Sequence, residues 1–293
     1  MHEPGSLSRS APGRGDISGT YPEEGKIGMP YLEIGDSALF YTATGTGTPV
    51  VLVHGWTADS IDYSWLIPLL QQNFRVIAYD LRGYGHSTPA DGYGMDRQLD
   101  DLTAVIERVA GEPALVVGHS LGGAIASSMA VERPKHVLGV VVLDASYAAD
   151  EAGRVRVERT REKLAGEHPE EVVTSWFLSQ ASFADQTPGW LRTLVLRRVD
   201  SVSPEMIRAG FAALWDHAPI AFRPESDDYL ARRAVPVLVV HRNAARAAYE
   251  ETTFQHPASR AVVLSGGGHW VQVERPEDVS AAIQDWWKTA QAG

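Results

Sequence analysis

The sequence predicts an α/β fold: a mostly parallel eight-stranded sheet flanked by helices, with a block of helices inserted before the last two strands. Three observations carry this. Eight short runs rich in Val, Ile and Leu punctuate the chain, helical spacing fills the gaps between them, and the strand signal disappears over residues 148–233 before it resumes.

Residues 1–30 are rich in Gly, Pro, Ser and charge and are expected to form a tail. Tyr31–Ile34 and Ala38–Tyr41 flank the turn Gly35-Asp36-Ser37, a hairpin signal. Four apolar runs follow, Val50–Val53, Val76–Tyr79, Ala114–Val117 and Leu138–Leu143. Between them, Leu99, Leu102, Val105, Ile106 and Val109 recur at helical spacing. Strands alternating with helices imply a parallel sheet covered on both faces, with sites at the carboxyl ends of the strands. Residues 148–233 read as a helical lid. Val235–Val240 and Ala261–Leu264 then resume the sheet, and Val279–Trp287 closes the chain as an amphipathic helix. The expected organisation is a core of residues 31–147 and 234–293 carrying that lid.

Composition narrows the partners. The 293 residues hold 26 Lys and Arg against 37 Asp and Glu, a net charge of −11. With no basic run, this argues against electrostatic binding to nucleic acid or anionic lipid, and a small molecule is the expected partner. No stretch approaches the roughly 18 apolar residues of a membrane span, and the start has no apolar h-region of a secretory signal. A soluble, cytoplasmic protein with no membrane partner is expected. The chain has no Cys, which removes disulfides, thiolate metal sites and a cysteine nucleophile. Neither an H-E-x-x-H pattern nor a dinucleotide fingerprint occurs, so neither metal nor cofactor is expected.

The sharpest motif is Gly118-His119-Ser120-Leu121-Gly122-Gly123, directly after one strand and directly before helical text. A strand that turns sharply into a helix strains the turn residue and tolerates only small neighbours, and the turn exposes the Ser120 hydroxyl. His54-Gly55-Trp56 ends another strand, where the Trp56 N–H could face the Leu121 N–H across a developing oxyanion. His54 itself reads as a loop brace or a substrate contact, and Trp56 as pocket wall or core. Of ten His, His269 is the best placed base, in the flexible loop Ser265-Gly266-Gly267-Gly268-His269-Trp270 after the last strand. His119 is expected to point away from the site.

With these residues in place, the chain from about Tyr31 onward resembles the α/β-hydrolase-fold enzymes. The resemblance rests on His54-Gly55-Trp56, the run Asp80 to Ser87, the turn at Ser120, and Gly268 to Pro276. It implies a Ser–His–acid triad, but the third member departs from the commonest pattern. Most such enzymes place the acid after the strand matched by Val237–Val240, in text similar to H-G-D-x-D, where this chain reads His241-Arg242-Asn243. Glu250 and Glu251 come too late, on a helix. Asp144, at the end of the preceding strand, is the expected acid, because its side chain would emerge at the same sheet edge and an imidazole base needs orientation.

The leading expectation is a hydrolase of an ester or lactone using Ser120, His269 and Asp144, with the Trp56 and Leu121 amides as oxyanion hole. The resemblance extends to cofactor-free dioxygenases of heteroaromatic rings, through Gly55-Trp56 and the acid after the earlier strand; there His269 would deprotonate a hydroxylated ring that reacts with dioxygen. A non-catalytic binding protein on the same scaffold is the third reading. In the lid, Trp176, Phe177, Phe183, Trp190, Phe211 and Trp215 cluster. They would suit an apolar or aromatic ligand contacted by Trp176, Phe177, Trp190, Trp215 and also Trp270, or would simply bury against the core.

Overall fold

The Val-rich runs at the centre form strands buried on both faces because helices cover each side, while the strands at the two edges are partly exposed. In the computed structural model, which describes residues 30–179 and 182–292, the strands are β1 (Tyr31–Ile34), β2 (Ser37–Thr44), β3 (Pro49–Val53), β4 (Arg75–Tyr79), β5 (Ala114–His119), β6 (Val137–Leu143), β7 (Val237–His241) and β8 (Arg260–Val263). The segment 1–29, read above as a tail, lies outside the described residues. The eight strands form one sheet in the order β1-β2-β4-β3-β5-β6-β7-β8. The pairs β1–β2 and β2–β4 are antiparallel, and every other neighbouring pair is parallel.

Period-two alternation sorts the strand residues between two cores. Val51, Val53, Val116, Val140, Val142 and Val239 face one cluster, while Val50, Leu52, Leu115, Val117, Val141 and Val240 face another that includes Trp286 of the closing helix Pro276–Ala292. The helices between β6 and β7 pack on the first cluster through Phe177, Leu191, Ile207 and Phe211. They are Glu151–Leu164, Pro169–Ser179, Gly189–Ser201, Pro204–Trp215, Ala218–Ala221 and Glu225–Leu230. Among the described residues no helix is long and apolar enough to cross a membrane.

From β3 the chain steps outward to β4 and then returns past β3 to β5. The strand order therefore reverses at the β3/β5 boundary, where open α/β sheets bind ligands beyond the carboxyl ends of their strands. The two loops that leave that boundary are His54-Gly55-Trp56 and the turn at Ser120.

Candidate active site

Ser120 joins β5 to the helix Leu121–Glu132 with φ 52° and ψ −116°, a left-handed conformation that a non-glycine residue adopts only when its surroundings impose it. Its amide donates to the Leu143 carbonyl at 3.0 Å, which ties the turn to β6. The flanking glycines are there for space. A Cβ on Gly118 would meet the Gly122 carbonyl oxygen at 2.0 Å, and a Cβ on Gly122 would meet the Val53 oxygen at 2.0 Å. Helix, β5 and the end of β3 thus approach backbone to backbone, and only this spacing lets them.

His54 is fully buried, and both ring nitrogens are engaged by backbone: Nδ1 donates to the Gly55 carbonyl at 2.8 Å and Nε2 accepts from the Leu81 amide at 2.8 Å. It braces the loop and does not line the cavity described below, so its expected substrate contact is corrected. Trp56 does line the cavity, with its indole N–H anchored on the Ile207 carbonyl at 2.9 Å.

His269 follows β8, and its amide donates to the Ser182 carbonyl at 2.6 Å. Its Nδ1 donates to Asp144 Oδ2 at 2.7 Å, which fixes the tautomer and leaves Nε2 with the free electron pair. His119 does not border the cavity described below and packs behind His269. Its Nε2 donates to the His269 carbonyl at 2.9 Å and its ring centroid lies 4.6 Å from that of His269. Burial first, and the neighbouring His269 second, push the His119 pKa down to about 3, so this imidazole is a neutral strut behind His269.

Asp144 ends β6 with φ 42°, its amide donating to the Val240 carbonyl at 2.9 Å. Besides His269, its carboxylate accepts from the Arg242 amide at 3.1 Å and from Arg242 Nε at 2.9 Å. His241 Nδ1 stands 2.9 Å from Oδ1 and 2.9 Å from the Asn243 amide nitrogen. That nitrogen serves one neighbour at a time, donating to the carboxylate when protonated and accepting from the amide when not. Burial alone would raise the Asp144 pKa, but the hydrogen bonds and charge of His241 and His269 outweigh it and hold the carboxyl well below the usual carboxylate range.

Ser120, Leu121, Asp144 and His269 all border one cavity of about 930 Å³. Trp176, Phe177 and Trp215 line it too. Trp190 and Trp270 do not. Trp190 is about half exposed and stacks on Trp65, centroids 5.0 Å apart, while Trp270 is buried, stacks on Phe183 at 5.2 Å and backs the His269 ring. Their expected substrate contacts are therefore corrected as well.

The residues that sequence reasoning missed are His241 and Arg242. Their signal was present, since both stand where the commonest pattern has an acid; the absent carboxylate is replaced by groups that grip one supplied from the next strand.

These features have counterparts in known proteins. Residues 50–282 match the alpha/beta hydrolase family. The chain is 29% identical over 273 residues to the 2-(acetamidomethylene)succinate hydrolase of Mesorhizobium japonicum, covering 86% of this chain and 92% of that one. It is 28% identical over 226 residues to the bifunctional esterase/perhydrolase DCH of Acinetobacter calcoaceticus, covering 73% and 81%. A 39% identical match to the non-heme haloperoxidase of Rhodococcus erythropolis spans 98 residues and only 36% of that protein's length. Among solved structures, a thermophilic esterase from Thermogutta terrifontis superposes with a TM-score of 0.74 at 24% identity, covering 89% of this chain and 99% of that one, a likeness of fold. A family match over most of the chain, with the same sheet and the strained serine turn, means that this protein belongs to the alpha/beta hydrolase family.

Proposed function

We propose that this hydrolase cleaves a carboxylic ester or lactone through Ser120, His269 and Asp144. The observation that carries the reading is the 2.7 Å hydrogen bond from His269 Nδ1 to Asp144, with His269 and the strained Ser120 on the same cavity. His269 Nε2 takes the Ser120 hydroxyl proton as Oγ attacks the carbonyl carbon. The Trp56 and Leu121 amides, which no backbone carbonyl among the described residues engages, donate to the resulting oxyanion. The tetrahedral adduct collapses by breaking the ester C–O bond, and the leaving alkoxide takes the proton from His269. Water then attacks the acyl-serine, again losing its proton to Nε2, and releases the acid and free Ser120. Asp144 stays ionised throughout and stabilises the imidazolium.

The aromatic side of the cavity supports an acyl or alkoxy part with apolar surface, since Trp56, Trp176 and Phe211 meet edge to face or tilted at centroid distances of 5.7 to 6.0 Å. The test is covalent trapping. A fluorophosphonate should add to Ser120, seen by intact mass and peptide mapping, and turnover of aryl esters and lactones should proceed without oxygen uptake. Labelling elsewhere, or turnover of a hydroxylated heteroaromatic ring with stoichiometric oxygen consumption, would overturn the reading.

A further inference from the structure

The chain is acidic overall, yet the wall of its cavity is not. Arg156, Arg159, Lys163, Arg223, Arg242 and Arg246 border it, against the carboxylates of Asp144 and Asp150 alone. Both acids are already committed, Asp144 to His269 and Arg242, and Asp150 to capping the helix Glu151–Leu164 by accepting from the Gly153 amide at 2.8 Å.

The charges on that helix are sorted by face. Arg156, Arg159 and Lys163 stand three, four and seven residues apart, on the side that lines the cavity. Away from the cavity, Glu151 pairs with Arg154 at 3.6 Å and Glu158 with Arg161 at 3.2 Å. A solvated helix with no electrostatic task would mix both signs on both faces. From the opposite wall, Arg246 is held in place by donating to the Tyr147 carbonyl at 2.7 Å, with its guanidinium over the Tyr249 ring. Among the described residues, no carboxylate lies within 4 Å of Arg156, Arg159, Lys163 or Arg246.

Four cations that pair with no carboxylate and border one cavity, in a protein of net charge −11, make that wall favourable to an anion. We infer that the substrate is an ester or lactone bearing a carboxylate. Its anionic end lies toward Arg246 and the Arg156, Arg159 and Lys163 face, its apolar part lies against Trp176 and Phe211, and its scissile carbonyl lies at Ser120. This rests on the hydrolase reading above and narrows it from apolar to amphipathic anionic substrates. The cations also focus a positive field at the mouth, which speeds capture of anions and weakens with salt.

The experiment compares matched pairs in which a carboxylate is replaced by its neutral methyl ester, with release of the phenol or nitrophenol as the readout: mono-p-nitrophenyl glutarate against its methyl ester, and 4-acetoxybenzoate against methyl 4-acetoxybenzoate. At low ionic strength the carboxylate member of at least one pair should show kcat/KM at least tenfold higher. That preference should shrink in 0.5 M salt, on the order of a Debye length of a few ångströms, and fall toward unity in the triple variant Arg156→Gln, Arg159→Gln, Lys163→Gln. In parallel, the dissociation constants of the same four compounds are measured on Ser120→Ala. Cleavage of both members of each pair with equal or reversed preference overturns the inference and leaves the hydrolase standing. If wild type cleaves none of the four, the hydrolase reading is what suffers, and the binding ratio on Ser120→Ala still decides: tighter binding of the carboxylate members supports the anion site, equal binding refutes it.

Discussion

Two buried carboxylates, Asp144 just after β6 and Glu250 in the helix Ala244–Glu251 that follows β7, make opposite use of their surroundings. Asp144 opens onto the cavity, and the partner that matters most, His269, can change its charge. Glu250 is sealed away from the cavity against Arg233, at 2.9 Å, and both are nearly inaccessible to solvent. Arg233 is in turn saturated by the Thr253 hydroxyl at 2.6 Å, Ser127 Oγ at 3.1 Å and the Leu230 carbonyl at 3.1 Å. A guanidinium stays charged at any ordinary pH, so the Glu250 pair cannot take part in proton transfer. Access and the kind of partner therefore separate the carboxylate that the proposed mechanism uses from one that only pairs with a fixed charge, although burial alone would class them together.

The sharpest way to break this comparison is at Asp144. Asp144→Asn keeps the side-chain shape but favours the wrong imidazole tautomer of His269, so kcat/KM on an ester should fall by up to about 10⁴-fold at neutral pH. Thermal unfolding should show the variant still folded. If the loss is under tenfold, Asp144 is not the acid and the proposed mechanism loses its third member.

Glu250 should behave the other way. Removing one partner of a buried ion pair leaves an uncompensated charge or an orphaned donor, typically at a cost of about 3–5 kcal/mol. Arg233→Met should therefore lose stability of that order in urea unfolding, and Glu250→Gln somewhat less because its side-chain carbonyl oxygen can still accept from Arg233. Turnover per folded molecule should stay within a few-fold of wild type for both. From the sequence, Glu250 was excluded as the acid because it lies too far along a helix. That exclusion accords with its place here, but the structural burden it carries could not be read, because Arg233 lies outside the helix in a different part of the chain.

How far the rest was legible follows the same line. The strands β3, β5, β6 and β7 were readable because each is a run rich in Val and Leu, and β1 and β2 because they alternate on either side of a turn. Ser120 was readable because the spacing of Gly118 and Gly122 encodes a steric necessity local to six residues. Asp144 and His269 were placed by strand ends and by resemblance. What stayed hidden depends on packing across distant segments: that His241 and Arg242 turn toward Asp144, and that one face of the helix Glu151–Leu164 looks into the cavity. No periodicity reports which way the inserted helices face.

His119 tests whether a buried group behind the base acts on folding or on turnover. Its pKa is pushed down from an ordinary 6.5 to about 3. Between those values the unfolded chain binds a proton that the folded chain does not, so folding stability falls as pH drops through that window, by up to about 1.4 kcal/mol per pH unit. His119→Gln, which retains a donor for the His269 carbonyl, should lose this component. Its stability measured by urea unfolding from pH 7 to pH 4 should be flatter than that of wild type. An unchanged slope would mean that His119 does not remain neutral in the folded protein.

The smallest effect extends the comparison from carboxylates to aromatics. Trp176 lines the cavity, whereas Trp190, in the next helix, stacks on Trp65 with both rings substantially exposed. If access to the cavity decides function, Trp190→Ala should remove no more than the stack, about 0.5–1.5 kcal/mol of stability, and leave KM for an aryl ester within about twofold. Trp176→Ala should raise KM severalfold, because it deletes wall surface that a substrate would cover. Paired Michaelis curves for the two variants decide the matter. A Trp190→Ala variant with KM raised tenfold and stability unchanged would show that the substrate reaches the Trp65–Trp190 stack, and that the cavity is not the boundary between the two kinds of residue.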